Sequence, residues 1–165
     1  MKKLFALAAC AALMSGAVFA ANEPAAQTDS QQTEQKEAPN YQLGLTVFDM
    51  SSKVPTNLNK TEISRSSKQQ LCWIAVGEFK AKNDVVEEFT APAKMQFNVQ
   101  PELGVSVASA DKKSHTITSK RDGMNEGKNV SSCWSFDKKD PRGKYSIAVK
   151  INNISFPPLN FKVVN

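Results

Sequence analysis

The sequence predicts an all-β domain, a single antiparallel β-sandwich of seven to nine short strands. Apolar and polar residues alternate with a period of two, and no helical period recurs. Turn-forming residues separate the alternating runs at short intervals, as they do in a sandwich. A closed barrel is the main alternative, because it is built from similar strands. Residues 41–165 supply about 125 residues for this domain, an ordinary size for a single domain.

Nine runs carry the strand pattern. In five runs the alternation, or a continuous apolar stretch, is clear enough to identify the residues that face the core. In the other four runs the strand pattern is weaker. Leu71 to Val76 is apolar on both faces, which indicates a strand inside a sheet. The strong runs are 41–47, 71–76, 95–99, 145–151 and 159–163, and the weaker ones are 85–90, 105–108, 115–119 and 130–136.

The residues between the runs indicate where the chain turns. Asp140-Pro141-Arg142-Gly143 has Asp, Pro and Gly at the positions that a type I turn favours. Asn152-Asn153 can adopt positive φ between two strands. Pro157-Pro158 lacks the N–H groups that a central strand donates, so the last strand is expected to begin after it.

The segment from Asp140 to Tyr145, with the alternating strand that follows, resembles the D-x-x-G-x-Y corner of immunoglobulin-like and fibronectin-III-like modules. In those modules a loop leads into the penultimate strand, which opens with a tyrosine. The resemblance covers about the last 35 residues and implies an immunoglobulin-like sandwich. It implies that Asp140, Gly143 and Tyr145 form a structural corner, with 130–136 as the strand before it. No functional residue carries over.

The N-terminus has the three parts of a secretory signal peptide, 1–20. Lys2 and Lys3 precede an apolar run that is too short to span a membrane, and Val18-Phe19-Ala20 suits cleavage after Ala20. Leu7-Ala8-Ala9-Cys10 resembles a lipobox, which leaves acylation of Cys10 as a lipoprotein alternative. A buried N-terminal helix is the other alternative. We therefore expect export to the periplasm, the cell surface or the medium of a bacterium.

Charge and composition divide the exported part of the chain. Residues 21–40 are rich in Gln, Glu, Ala and Pro, carry a net charge of −3 and predict a flexible leader. Residues 41–165 hold 18 Lys and Arg against 12 Asp and Glu, a net charge of +6. A basic domain suits an anionic partner, although exposed lysines also keep a β-domain soluble and protect strand edges. Nucleic acid is not expected, since no binding motif is present.

Two cysteines, Cys72 and Cys133, remain beyond the signal, and each is followed by tryptophan. An oxidising compartment predicts a disulfide between them. The alternation places Trp73 and Trp134 on the core face, so both cysteines lie on the opposite face. We therefore expect a bond between neighbouring strands across the outside of one sheet. A redox or metal pair is the alternative, but no C-x-x-C spacing supports it.

No constellation of residues predicts catalysis or a cofactor. A hydrolase or a zinc site would depend on His115 alone, which lies in a lysine-rich stretch typical of a solvated loop or edge strand. A copper site could add methionines, but core packing or chance explains their scattered positions better. Adjacent Glu87 and Glu88 point to opposite faces of a strand and cannot share one acid–base site. The methionines are Met50, Met95 and Met124.

Two basic stretches are candidate contact surfaces. The first comprises Lys112, Lys113, Lys120 and Arg121. The second, at the corner loop, is favoured because loops at the ends of a sandwich commonly bind partners. The alternative is a solvated loop without a partner. The second stretch comprises Lys138, Lys139, Arg142 and Lys144.

The leading hypothesis is a non-catalytic binding or accessory module of the bacterial envelope, which contacts a protein or an anionic glycan through its loops. A fimbrial or adhesive-fibre subunit is the alternative, but a donor strand should alternate apolar residues and 21–40 does not. An inhibitor of another enzyme is a third possibility. Its target would not be strongly basic, because like charges oppose encounter.

Overall fold

Two β-sheets pack face to face in the computed structural model, which describes residues 40–165. This part of the chain forms eleven strands and no helix, and so contains no helix able to cross a membrane. The all-β sandwich predicted from the sequence is confirmed. The signal peptide at 1–20, the Cys10 alternative and, except for Asn40, the leader at 21–40 lie outside the described residues.

The smaller sheet has four antiparallel strands in the order β2-β1-β4-β8. β4 lies between β1 and β8, as its apolar character on both faces predicts. β1 pairs with β4 along its whole length, from Gln42 opposite Val76 to Asp49 opposite Gln69. The strands are β1 (Gln42–Asp49), β2 (Thr56–Asn57), β4 (Gln69–Val76) and β8 (Asn129–Trp134).

The larger sheet has seven strands, six of them in the order β3-β11-β9-β5-β7-β6, with β10 paired to β9. β10 follows β9 through a turn in which Asn152 has a φ of 53°, as its position between two strands predicts. β11 begins directly after Pro157-Pro158, also as predicted. The strands are β3 (Glu62–Ser64), β5 (Lys82–Thr90), β6 (Val105–Ala108), β7 (Ser114–Asp122), β9 (Gly143–Ile151), β10 (Ile154–Ser155) and β11 (Leu159–Val164).

The strand count and the pairing differ from the sequence prediction in two ways. Three short strands, β2, β3 and β10, raise the number above nine, because two or three residues are too few to show a period. β11 pairs parallel with β3, with Val163 opposite Ile63, whereas an entirely antiparallel sandwich was expected. The long connection from β3 to β11 allows this parallel pairing.

The predicted strand at 95–99 does not form, although its side chains alternate as predicted. Met95, Phe97 and Val99 are half-buried against the core, yet this segment joins neither sheet. The Phe97 ring lies 4.6 Å from that of Phe89 and 5.2 Å from that of Trp134, so it fills the space between the sheets at one side. Hydrophobic burial therefore produces the alternation here without a hydrogen-bonded ladder.

The disulfide joins Cys72 of β4 to Cys133 of β8, two residues directly opposite each other in the smaller sheet. Trp73 is fully buried and Trp134 half-buried, both on the core side, while Cys133 is exposed. The prediction of a bond between neighbouring strands, with both tryptophans inside, is confirmed. The bond closes a loop with a sequence separation of 61 residues.

We expect removal of the disulfide to destabilise the domain without changing its fold. A Cys72→Ser/Cys133→Ser variant should lose about 2–5 kcal/mol of unfolding free energy, because the unfolded chain is no longer cross-linked. Urea titration followed by circular dichroism measures this. Ser135→Ala, on the same exposed face as Cys133, is the control and should be nearly neutral. An unchanged denaturation midpoint in the double variant would contradict the prediction.

Candidate functional site

The corner before β9 is built by a turn that lies three residues earlier than predicted. Asp140 N–H donates to the Asp137 carbonyl at 3.1 Å, so the turn spans 137–140 rather than 140–143. The Asp137 carboxylate accepts from Lys139 N–H at 2.6 Å, and the Asp140 carboxylate accepts from Asp137 N–H at 2.7 Å. These two side-chain bonds favour the earlier position. Burial raises the pKa of the Asp140 carboxyl, and the bond from Asp137 N–H opposes that rise.

Tyr145 and Gly143 hold the chain where the corner enters β9. The Tyr145 hydroxyl donates to the Pro141 carbonyl at 2.6 Å, and its ring stacks on Phe161 with centroids 5.1 Å apart. Gly143 has a φ of 139°, and a Cβ there would lie 3.0 Å from Pro92 Cγ. A side chain at position 143 would therefore be strained by both backbone and neighbour.

A basic surface follows this corner on the outer face of the larger sheet. Lys144 of β9 lies opposite Lys162 of β11, and Arg142 and Lys162 line the same shallow groove. Lys162 forms an ion pair with Glu62 of β3 at 3.3 Å, which offsets part of the charge. Within residues 40–165, no ion pair neutralises Arg142 or Lys144. We call Arg142, Lys144 and Lys162 the basic surface.

The predicted contact residues are thus only partly brought together. Arg142 and Lys144 belong to the basic surface, whereas Lys138 and Lys139 are exposed at the middle of the preceding turn. Lys162 was missed because its place opposite Lys144 depends on the β9–β11 register. The alternation of Leu159, Phe161 and Val163 already predicts that Lys162 faces outward, but not which strand it lies beside.

Glu87 is a carboxylate buried completely between the two sheets. It lies on β5 opposite Val149 and Ile117, and its exposed fraction is 0%. Trp73 Nε1 donates to Glu87 Oε1 at 2.5 Å, and Trp134 Nε1 donates to the same oxygen at 2.7 Å. One oxygen of the larger sheet therefore receives hydrogen bonds from two strands of the smaller sheet.

Further polar groups lie in the same part of the core. The half-buried Arg121 of β7 donates through its guanidinium to Ser132 Oγ of β8 at 3.1 Å. Among the described protein atoms, Glu87 Oε2, Ser119 Oγ and Arg121 Nε are buried without a hydrogen-bond partner. Together these groups make this region the least apolar part of the core. Buried polar groups without a hydrogen-bond partner are costly in such an interior.

Burial raises the pKa of the Glu87 carboxyl above its ordinary value of 4.5. The indole donors of Trp73 and Trp134 and the positive charge of Arg121 act in the opposite direction, because each stabilises the ionised form. Desolvation is the largest contribution, since no water surrounds a side chain with no exposed surface. The carboxyl therefore keeps its proton to a higher pH than it does in the unfolded chain.

His115 is in the core rather than in a solvated loop or at a sheet edge, so that part of the sequence prediction is wrong. It lies on the inner face of β7 with an exposed fraction of 3%. Its Nε2 is 3.1 Å from the Lys112 carbonyl, and its ring meets Phe97 edge-on at 5.1 Å. Phe97, the residue that fills the side of the sandwich, covers the imidazole.

Glu87 and Glu88 lie on opposite faces of β5, as the alternation predicts, but that prediction does not extend to the role of Glu87. Val85, Glu87 and Phe89 share one face, so the alternation already predicts an inward-facing carboxylate. Two inward-facing tryptophans also need acceptors for their N–H groups. These two signals together could have predicted the buried contact of Glu87 with Trp73 and Trp134.

Ionisation of Glu87 should make the folded state less stable as pH rises. Because folded Glu87 binds its proton more tightly than the unfolded chain does, the unfolding free energy should fall from about pH 4.5 up to the raised pKa. Glu87→Gln should remove this contribution, since its amide oxygen can still accept from both indoles. Urea titrations across this pH range measure the effect.

Glu88→Gln is the matched control, because Glu88 is the adjacent residue and is exposed. It should keep the pH slope of the natural protein. The same slope in Glu87→Gln and in the natural protein would show that Glu87 is not the group that titrates differently on folding.

Comparisons with known proteins identify the family but no ligand. Residues 43–164 match the family model of the PM0630 beta sandwich domain. The chain is 30% identical over 166 residues to a protein of Pasteurella multocida (strain Pm70) called "Uncharacterized protein PM0630", and the match covers 99% of each. A solved structure of the alkylpurine DNA glycosylase AlkC of Pseudomonas fluorescens, bound to DNA containing an abasic site analog, is also similar.

The likeness to the glycosylase is too low to support an inference about function. The TM-score is 0.36 and the identity 10%, and the match covers 76% of this chain and 30% of the glycosylase. The family model, by contrast, covers nearly all of residues 40–165, and the relative matches along its whole length. The chain belongs to the PM0630 beta sandwich domain family.

Proposed function

We propose that the protein is a non-catalytic binding or accessory module of the bacterial envelope, and that its basic surface contacts an anionic glycan or the acidic face of an envelope protein. The observation that carries the proposal is the adjacency of Arg142, Lys144 and Lys162 on one outer face. Cations held on adjacent strands raise the local concentration of anions and orient a charged partner.

The scaffold beneath this surface supports the proposal. Val163 and Tyr145, the inward-facing neighbours of Lys162 and Lys144, are both in the core. Tyr145 also fixes the start of β9 through its bond to the Pro141 carbonyl. A rigid support reduces the entropy lost when a partner binds.

We further infer that the sandwich is immunoglobulin-like. A corner tyrosine in those domains donates its hydroxyl to a backbone group a few residues upstream, and Tyr145 makes such a bond. The disulfide differs, because Cys72 and Cys133 join neighbours within one sheet rather than two sheets through the core. The support for this inference is therefore the corner and not the cross-link.

Export to the periplasm, the cell surface or the medium is part of the proposal. The signal-like sequence at 1–20 supports it, and so does the Cys72–Cys133 disulfide, since such bonds persist mainly in oxidising compartments. We expect the protein in the envelope or medium fraction, with Ala21 as its first residue. N-terminal sequencing checks this. An acylated Cys10 at the N-terminus would show the lipoprotein alternative instead, and an intact Met1 in the cytoplasm would contradict export.

Reversing the charge of the basic surface should weaken binding to a polyanionic glycan. We expect Arg142→Glu/Lys144→Glu to bind heparin and lipopolysaccharide at least about tenfold more weakly, with a smaller dependence on salt. Both residues are exposed, so the fold should be unaffected. Isothermal titration at two salt concentrations measures the change.

The matched control is Lys128→Glu/Lys150→Glu, which makes the same change of net charge at exposed positions outside the basic surface. Lys150 lies on β9 itself, six residues beyond Lys144. Equal weakening in both double variants would show that net charge, and not this surface, attracts the glycan. In-cell cross-linking at Lys138, Lys139 and Lys144 distinguishes a protein partner from the fibre subunit. Cross-links to one envelope protein indicate a protein partner, whereas a ladder of self-multimers indicates the fibre subunit.

A further inference from the structure

The larger sheet ends at β6, whose backbone pairs on one side only, although Met95, Gln96 and Phe97 line a pocket with its inward-facing residues. β6 pairs with β7, and no other strand of the described chain pairs with it. Natural proteins usually protect such edges with charged residues, prolines or bulges. Residues 103–110, Leu-Gly-Val-Ser-Val-Ala-Ser-Ala, contain neither a charge nor a proline. This edge can therefore accept another strand.

The backbone ladder shows which groups of β6 face outward. Ser109 N–H donates to the Ser114 carbonyl at 2.8 Å, in the register that also pairs Val107 with Thr116. The N–H and C=O groups of an antiparallel strand alternate between its two sides. Those of Val107 thus face β7, whereas those of Ser106 and Ala108 face the open side.

The side chains of β6 add an apolar surface beside these groups. Val105 and Val107 lie on the outer face opposite Thr118 and Thr116, and each has an exposed fraction of 63%. They are placed symmetrically about Ser106. A strand that paired with β6 would cover both valines.

We propose that two copies of this chain pair antiparallel through β6, about a two-fold axis at Ser106. In this register Ser106 faces the same residue of the second copy, and the open groups of both can bond to each other. Val105 of each copy faces Val107 of the other, so four exposed valines form one cluster. The result is one continuous sheet across both copies.

The charges at the ends of β6 fit a second copy. In the same register Glu102 faces Ala110, next to a hairpin that carries Asp111 as well as Lys112 and Lys113 and so has a net charge of +1. The carboxylate of one copy therefore lies near a positively charged turn of the other, once at each end. In this register the backbone groups, the apolar side chains and the charges of β6 all match those of a second copy of β6. A strand from an unrelated protein would not be expected to match all three.

The other edges are less suited to pairing. β3 carries an exposed, charged residue, Glu62, and β2 is only two residues long. The outward-facing residues of β8 are Ser131, Cys133 and nearby Ser135, none of which offers a large apolar side chain. The side of β1 that β2 leaves unpaired, from Gln42 to Leu45, is also uncharged, but its two leucines pack against the core. Of these edges, only β6 would therefore bring exposed valines into the pairing.

Sedimentation velocity of the exported protein, purified from the envelope or medium fraction, over a range of concentrations tests the proposal. We expect a shift from monomer to dimer as concentration rises. Val107→Lys should weaken the association at least about tenfold, because it places two ammonium groups beside the apolar cluster. Ser106→Pro should do the same by removing an outward N–H, while the bonds to β7 remain.

Val54→Lys is the control, since it adds the same charge at an exposed valine outside the sheet edge and should leave the dimer intact. Circular dichroism confirms that each variant is folded. A protein that stays monomeric up to about 1 mM would overturn the proposal, and so would a dimer that persists in both β6 variants. The basic surface lies on other strands, so glycan binding by Arg142 and Lys144 can fail without affecting this result.

Discussion

One carboxylate oxygen, Glu87 Oε1, links the two sheets through the core, because it accepts both indole N–H groups across the space between them. Cys72 and Cys133 are directly opposite in an antiparallel pair, so a local two-fold axis relates the residue that follows each cysteine. The repeated Cys-Trp dipeptide therefore places two indoles symmetrically on the inner face. The disulfide fixes the pair on one side of the sheet, and Glu87 fixes it on the other.

This arrangement gives the two sheets a defined relative position that apolar contacts alone would not specify. Hydrophobic contacts are not directional, whereas a hydrogen bond between Trp73 and Glu87 forms at one register only. The cost is a carboxyl held in a desolvated place, with Oε2 unpaired. Phe97 then closes the side of this region against Phe89, Trp134 and His115 without joining a sheet.

The sequence predicts correctly the features that depend on a local period, such as the face on which a residue lies. It does not predict those that depend on tertiary contacts, such as which strands are neighbours. Cys133 and Trp134 point to opposite faces because consecutive strand residues must, so the cross-strand disulfide followed from alternation. The segment at 95–99 alternates for the same hydrophobic reason but has no partner strand, and no local signal distinguishes the two cases. Lys162 belongs to the basic surface only because β11 lies beside β9. Its place there could not be predicted without knowing that β11 lies between β9 and β3.

The place of β11 also constrains the order in which the fold can be completed. Val163 pairs in parallel with Ile63, a contact across 100 positions of the chain, while its other side pairs with Gly143. Without residues 159–164, β3 and β9 lack the strand that joins them. Contacts this distant in sequence make folding slow. A chain cut before Leu159 can therefore complete the smaller sheet, whose strands end at Trp134, but leaves the larger sheet divided between β3 and β9.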